Sequence, residues 1–104
     1  YRRVEIPLPF EPADFVPRLL AEAGPRTRLL FVSHVSSTTA LVFPVAALCA
    51  AARTRGIPTL VDGAHAPGLV PLDLDAIGAD FYAGNLHKWV CAPKGAAFLH
   101  ARPE

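Results

Sequence analysis

Two apolar runs of strand length, residues 28–34 (RLLFVSH) and 58–62 (PTLVD), flank a single helical stretch, and few architectures accommodate that arrangement. Both runs are continuous, the pattern of strands covered on both faces, as in a parallel sheet. Between them, residues 44–55 carry Pro44 near the start, alanines along the length and Arg53 and Arg55 in the last turn, with Gly56 beyond, which predicts a helix. Strand, helix and strand joined by short links make a βαβ unit. Residues 73–77 (DLDAI) predict a short helix or turn ended by Gly78, and residues 80–84 (DFYAG) and 96–100 (AAFLH) predict two more strands. The link between those two is too short for a crossover helix, so the last strand is expected to return antiparallel. The expected fold class is therefore α/β, a mostly parallel sheet with helices on both faces.

Upstream, residues 3–8 (RVEIPL) predict a short edge strand, because Pro7 and Pro9 remove ladder donors. Residues 11–23 predict a helix with Asp14 as a cap, Pro12 or Pro17 in its first turn and Gly24-Pro25 as its stop. The 104 residues suffice for one modest core, and 52% of them are apolar. A net charge of +1 gives no electrostatic footprint for nucleic acid. No apolar run approaches the roughly 20 residues that span a bilayer, and no signal peptide is visible. Two cysteines make no disulfide framework, which fits a reducing, cytoplasmic setting. Cys49, among alanines, reads as a small buried apolar residue. The chain has no initiating Met and begins almost at once with a strand-like run, so it is expected to be a piece of a longer protein.

In open α/β sheets ligands bind beyond the carboxyl ends of the strands, and three polar clusters fall there. The first is Ser33-His34-Val35-Ser36-Ser37-Thr38-Thr39. The second begins at Asp62 and reaches His65. The third holds Asn85, His87 and Lys88. Asp62 at the end of a buried strand needs a partner; it either caps the turn that follows or meets a ligand. Gly63 and Ala64 leave room for a flat ligand near the backbone. His65 is a turn residue or a ligand contact. No HExxH, CxxC or similar spacing marks a metal site. Lys88 follows a buried strand amid Leu86, Trp89 and Val90. In a dry apolar surrounding its neutral amine, the form that attacks carbonyls, is favoured; alternatively its stem packs and its head reaches water. Lys94, in Ala-Pro-Lys-Gly, reads as a turn lysine. A carboxylate that keeps a pyridine nitrogen protonated, with a lysine that holds the ring as an imine, is the protein's share of pyridoxal phosphate chemistry.

The segments VDGAHAPG (residues 61–68) and GADFYAGNLHKWVCAPKGAAFLH (residues 78–100) resemble the class V aminotransferase family of pyridoxal phosphate enzymes. That family includes cysteine desulfurases, selenocysteine lyases and isopenicillin N epimerases, and the form found here looks most like the isopenicillin N epimerase-like branch. The resemblance covers about residues 29–102. It implies that Lys88 forms the bond to the cofactor and later moves the Cα proton, and that Asp62 pairs with the pyridine nitrogen. His65 stands where many relatives have Gln, a donor to the ring oxygen. Asn85 and His87 match phosphate-binding positions. Ser37 falls where desulfurases often have Asn beside the ring oxygen; His34 and Ser36 are neighbours only. Cys91 does not match the desulfurases' catalytic cysteine, which lies well downstream.

The resemblance further implies that residues 1–104 are the central part of one large, cofactor-binding domain, with an N-terminal portion and a C-terminal small domain outside them. It implies a cytoplasmic homodimer acting on a small amino-acid substrate by epimerisation or transamination through a lysine aldimine. A cysteine desulfurase or other C–S lyase of the same family is the alternative, and a non-catalytic truncated fragment is the alternative of a different class.

Overall fold

The computed structural model describes residues 1–103. Four strands, β1 (Leu30–Ser33), β2 (Thr59–Gly63), β3 (Phe81–Asn85) and β4 (Ala97–Ala101), form one sheet in the order β1-β2-β3-β4. The first three run parallel and β4 returns antiparallel to β3, as the short link between them requires. Helix α1 (Pro12–Ala21) precedes β1, α2 (Val45–Thr54) crosses from β1 to β2, and the four-residue α3 (Leu74–Ile77) lies between β2 and β3.

Val32, Val61 and Tyr82 lie side by side across β1, β2 and β3 and point to one face. They share a core with Phe15 and Leu19 of α1, Val45, Leu48 and Cys49 of α2, and Ile77 of α3. Burying each such aliphatic or aromatic side chain contributes about 1.5–3 kcal/mol. All three helices thus cover the same face. The opposite face carries Phe31, Phe81 and Leu99 at 63%, 42% and 67% exposure. The helices expected on both faces are therefore met, by this chain's own helices, on one.

Arginines tie the helices together. Arg55 Nη1 donates to the Leu20 carbonyl at the end of α1 (2.8 Å), and Arg53 donates to the Gly78 carbonyl after α3. At the same end of the sheet Asp80, just before β3, accepts from the Thr59 amide (2.8 Å) and hydroxyl (3.0 Å) and from Arg102 (2.6 Å). Burial by itself would raise the Asp80 carboxyl, but these donors outweigh it and hold the group below its ordinary 3.8. Gly78 adopts φ 64° and ends α3, while Asp73 caps its start by accepting from the Ala76 amide at 2.9 Å.

Two local expectations are corrected. Residues 3–8 form no strand; with prolines at positions 7 and 9 the segment lacks the donors a ladder needs. Asp14 does not cap α1. It sits in the first turn, where its own amide donates to the Glu11 carbonyl (3.1 Å), while Pro12 opens the helix and Pro17 lies inside it.

Candidate functional site

The carboxyl ends of β2 and β3 bring the second and third polar clusters together. Asp62 pairs with Ala83 in register, so the turn after Gly63 and the loop after Asn85 leave the sheet side by side. They touch closely: a Cβ on Gly68 (φ 81°) would lie 3.0 Å from the Trp89 carbonyl carbon, and one on Gly84 would lie 3.1 Å from the Pro67 ring while colliding with Phe98. Small residues at 68 and 84 let the two loops approach.

That approach brings Lys88 Nζ to 3.2 Å from His65 Nε2. An ammonium has no lone pair, so either it donates to an unprotonated Nε2, or an Nε2–H donates to the free amine. In both cases one proton lies between lysine and imidazole. The His65 ring also sits 6.5 Å, centroid to centroid, from the Trp89 ring. Lys88 is half-buried, but Trp89 and Val90 are exposed, so the dry apolar surrounding expected of it is not present in these residues. The reason is local: after Asn85 the chain leaves the strand and turns, and the turn presents both side chains outward.

Asp62 does what its structural alternative required and leaves a group over. Its Oδ1 accepts from the Ala64 amide at 2.9 Å and caps the turn, while Oδ2 accepts from no protein group among the described residues. By strand alternation Asp62 and Asn85 point to the face opposite the helices. His87 Nδ1 lies 3.0 Å from the Ala96 carbonyl oxygen, to which it donates. That bond fixes the ring and leaves Nε2 free of it, able to donate only when the imidazole is protonated.

The β1 cluster is brought near only in part. Ser37 is exposed in the turn after Val35, with no side-chain hydrogen bond among the described residues. Its neighbours tie the turn instead: Ser36 Oγ accepts from the Thr39 hydroxyl (3.0 Å) and amide (3.4 Å). His34 turns the other way, into the core. Its Nδ1 lies 2.8 Å from the Tyr82 hydroxyl, and burial lowers its pKa from the ordinary 6.5. The Tyr82 phenol is pushed up to about 12 by burial and by the Asp62 charge. A neutral imidazole and a protonated phenol therefore share this bond. On the helix-covered side Gly63 leaves no room, since a Cβ there would collide with the Tyr82 ring and hydroxyl.

Sequence reasoning passed over Tyr82. Its signal was a tyrosine in the middle of a buried strand, whose hydroxyl needs a partner, with a histidine at the end of a nearby strand. Cys49 is buried as expected, and burial, only partly offset by a Thr59 hydrogen bond, raises its thiol above the ordinary value. Cys91 is exposed and unpaired. Among the described residues no cluster of three or more His, Cys, Asp or Glu side chains is placed to hold a metal ion, and no helix is long and apolar enough to cross a membrane.

The family described as aminotransferase class-V matches residues 15–104. An isopenicillin N epimerase from Streptomyces clavuligerus is 58% identical over 92% of this chain and 24% of its own length. Another, from Amycolatopsis lactamdurans, is 56% identical over 86% of this chain and 22% of its own. The chain thus spans about a quarter of the length of these relatives. Among solved structures, the cysteine desulfurase CsdA from Escherichia coli superposes with a TM-score of 0.76 at 29% identity, covering 84% of this chain and 22% of that one.

Proposed function

The chain belongs to the aminotransferase class-V family of pyridoxal phosphate enzymes, and from that membership we propose that it forms the cofactor-holding core of an enzyme acting on an amino acid in the manner of an isopenicillin N epimerase. The observation that carries this reading is the meeting of Lys88 with His65 beyond the strand that carries Asp62 near its end.

The donor set fits the group. A primary amine is needed for the aldehyde, and Lys88 supplies it. An acceptor is needed for a protonated pyridine nitrogen, and Asp62 Oδ2 has no protein donor among the described residues. A donor for the phenolic oxygen is at hand in His65. Phosphate oxygens require donors, and Asn85 and the protonated form of His87 would supply them, with Ser37 as a further polar contact from the β1 turn. Bound there, pyridoxal phosphate supplies the electron sink that weakens bonds at the substrate α-carbon. Lys88 would then have two tasks, to hold the aldehyde and to remove or return the substrate Cα proton. His65, 3.2 Å away, can take a proton from Nζ or give one back. Asp62 Oδ2 would accept from the ring nitrogen, and the Ala64 amide on Oδ1 fixes the direction of that other oxygen.

The same reading makes residues 1–104 the central part of a larger cofactor-binding domain, in a homodimer whose second subunit contributes to the site. Two unpaired cysteines support a cytoplasmic setting. A cysteine desulfurase or other C–S lyase is the second reading, supported by the likeness to CsdA. Isomerised against desulfurated product from the full-length protein separates the two.

The test of the cofactor itself is chemical. Full-length protein incubated with pyridoxal phosphate and reduced with borohydride should carry a stable phosphopyridoxyl label on Lys88, located by peptide mass spectrometry. A protein with no label there is a non-catalytic member of the family, and the reading fails.

A further inference from the structure

Beneath the candidate site, on the helix-covered face, a buried chain of contacts runs from β1 to β3 under the end of β2. The His34 amide donates to the Asp62 carbonyl at 2.8 Å. The His34 ring reaches past β2 to the Tyr82 hydroxyl, 2.8 Å from Nδ1. The Tyr82 ring is fully buried, lies where a Gly63 Cβ would stand, and stacks on Phe98 of β4 with the planes 10° apart. Asp62-Gly63 is therefore gripped from one side by the His34 backbone and from below by the ring that His34 anchors. The Asp62 charge is close enough to help raise the Tyr82 phenol.

We propose that the buried Tyr82–His34 pair is a positioning device for Asp62, holding the last turn of β2 so that the carboxylate keeps one direction on the opposite face. The inference rests on the functional reading above for what Asp62 is aimed at. The physical basis is that a hydrogen-bonded polar pair in a packed core has one satisfied geometry and strongly disfavours others. The hydroxyl fixes the ring, the ring fixes the height of Gly63, and the backbone of Gly63 and Ala64 fixes Asp62 through the Ala64 amide that Oδ1 accepts. Lys88 stands in a different loop, held by the Leu86–Ala96 and Ala92–Leu86 backbone bonds, and is outside this chain of contacts. Tyr82 and His34 touch no cofactor and act only through Asp62.

The test uses full-length protein and two measurements. In cofactor-free protein, Tyr82→Phe should speed hydrogen exchange at the Ala64 amide on the order of tenfold, the coupling typical within one hydrogen-bond network, with the Leu86 amide unchanged. His34→Asn, whose amide oxygen can stand where Nδ1 does, should keep Ala64 protected. The second measurement is a double-mutant cycle. Tyr82→Phe should raise the pyridoxal phosphate dissociation constant about tenfold alone but less than about twofold in the Asp62→Asn background. Equal loss of protection at Ala64 and Leu86 would reduce the pair to general core stability and overturn the proposal. Equal factors in the two backgrounds would do the same. Absence of any label on Lys88 in the wild type overturns the cofactor reading alone, and the exchange comparison still decides the positioning role.

Discussion

The Tyr82 ring occupies the volume that a side chain on Gly63 would need, so one residue of β2 and one of β3 are fitted to each other across a parallel pair. Gly63→Ala forces that ring away from His34. It is expected to lower stability by about 1–3 kcal/mol, the range for overpacked cores. Thermal unfolding checks this, and an unchanged midpoint would mean the ring has room to retreat.

Asp62→Asn is expected to leave Lys88 open to borohydride trapping with pyridoxal phosphate while cutting turnover severely, on the order of a hundredfold or more, because the ring nitrogen loses a charged partner. Lys88→Ala should remove the trapped label altogether. Steady-state kinetics beside mass spectrometry separates the two effects. Turnover within a factor of about two for Asp62→Asn would mean the carboxylate serves only the turn.

Cys91 and Ala40 hold φ of 59° and 54°, the left-handed region that penalises a Cβ. Cys91→Gly and Ala40→Gly are each expected to stabilise the protein, by up to about 1 kcal/mol after the larger chain entropy of glycine is offset. Denaturant midpoints give the sign directly.

Stability should fall on both sides of neutrality. Burial lowers His34 from 6.5, so below that pH the unfolded chain takes up a proton the folded one refuses; stability declines from 6.5 downward. Asp80, lowered from 3.8, adds a second loss as pH falls below that value towards its folded one. Tyr82 has the opposite sense: with its folded value near 12 against an ordinary 10, its contribution is full below pH 10 and is lost between the two. Unfolding midpoints at stepped pH should show these three windows, and Tyr82→Phe should flatten the alkaline one.

Most of the sheet was legible because its signals are local. Continuous apolar runs fixed β1 and β2, the short link after Gly84 fixed the antiparallel return of β4, and Asp73 with Gly78 marked both ends of α3. The polar residues at strand ends could be read as one cluster because a parallel sheet delivers its carboxyl ends to one edge. The edge strand at residues 3–8 failed where apolar alternation was weighed above two prolines.

The sequence by itself determined the order of the elements, the edge at which chemistry would gather, and the identity of Asp62, His65 and Lys88 as its candidates. Only the tertiary structure decided what each touches. Lys88 meets His65, Asp62 divides its two oxygens between a turn and an open direction, and His34 turns from the site into the core to join Tyr82. These pairings span 23 and 48 positions of chain, and no local periodicity encodes them. They depend on which face each strand residue takes and on how closely glycines 63, 68 and 84 let neighbouring segments pack.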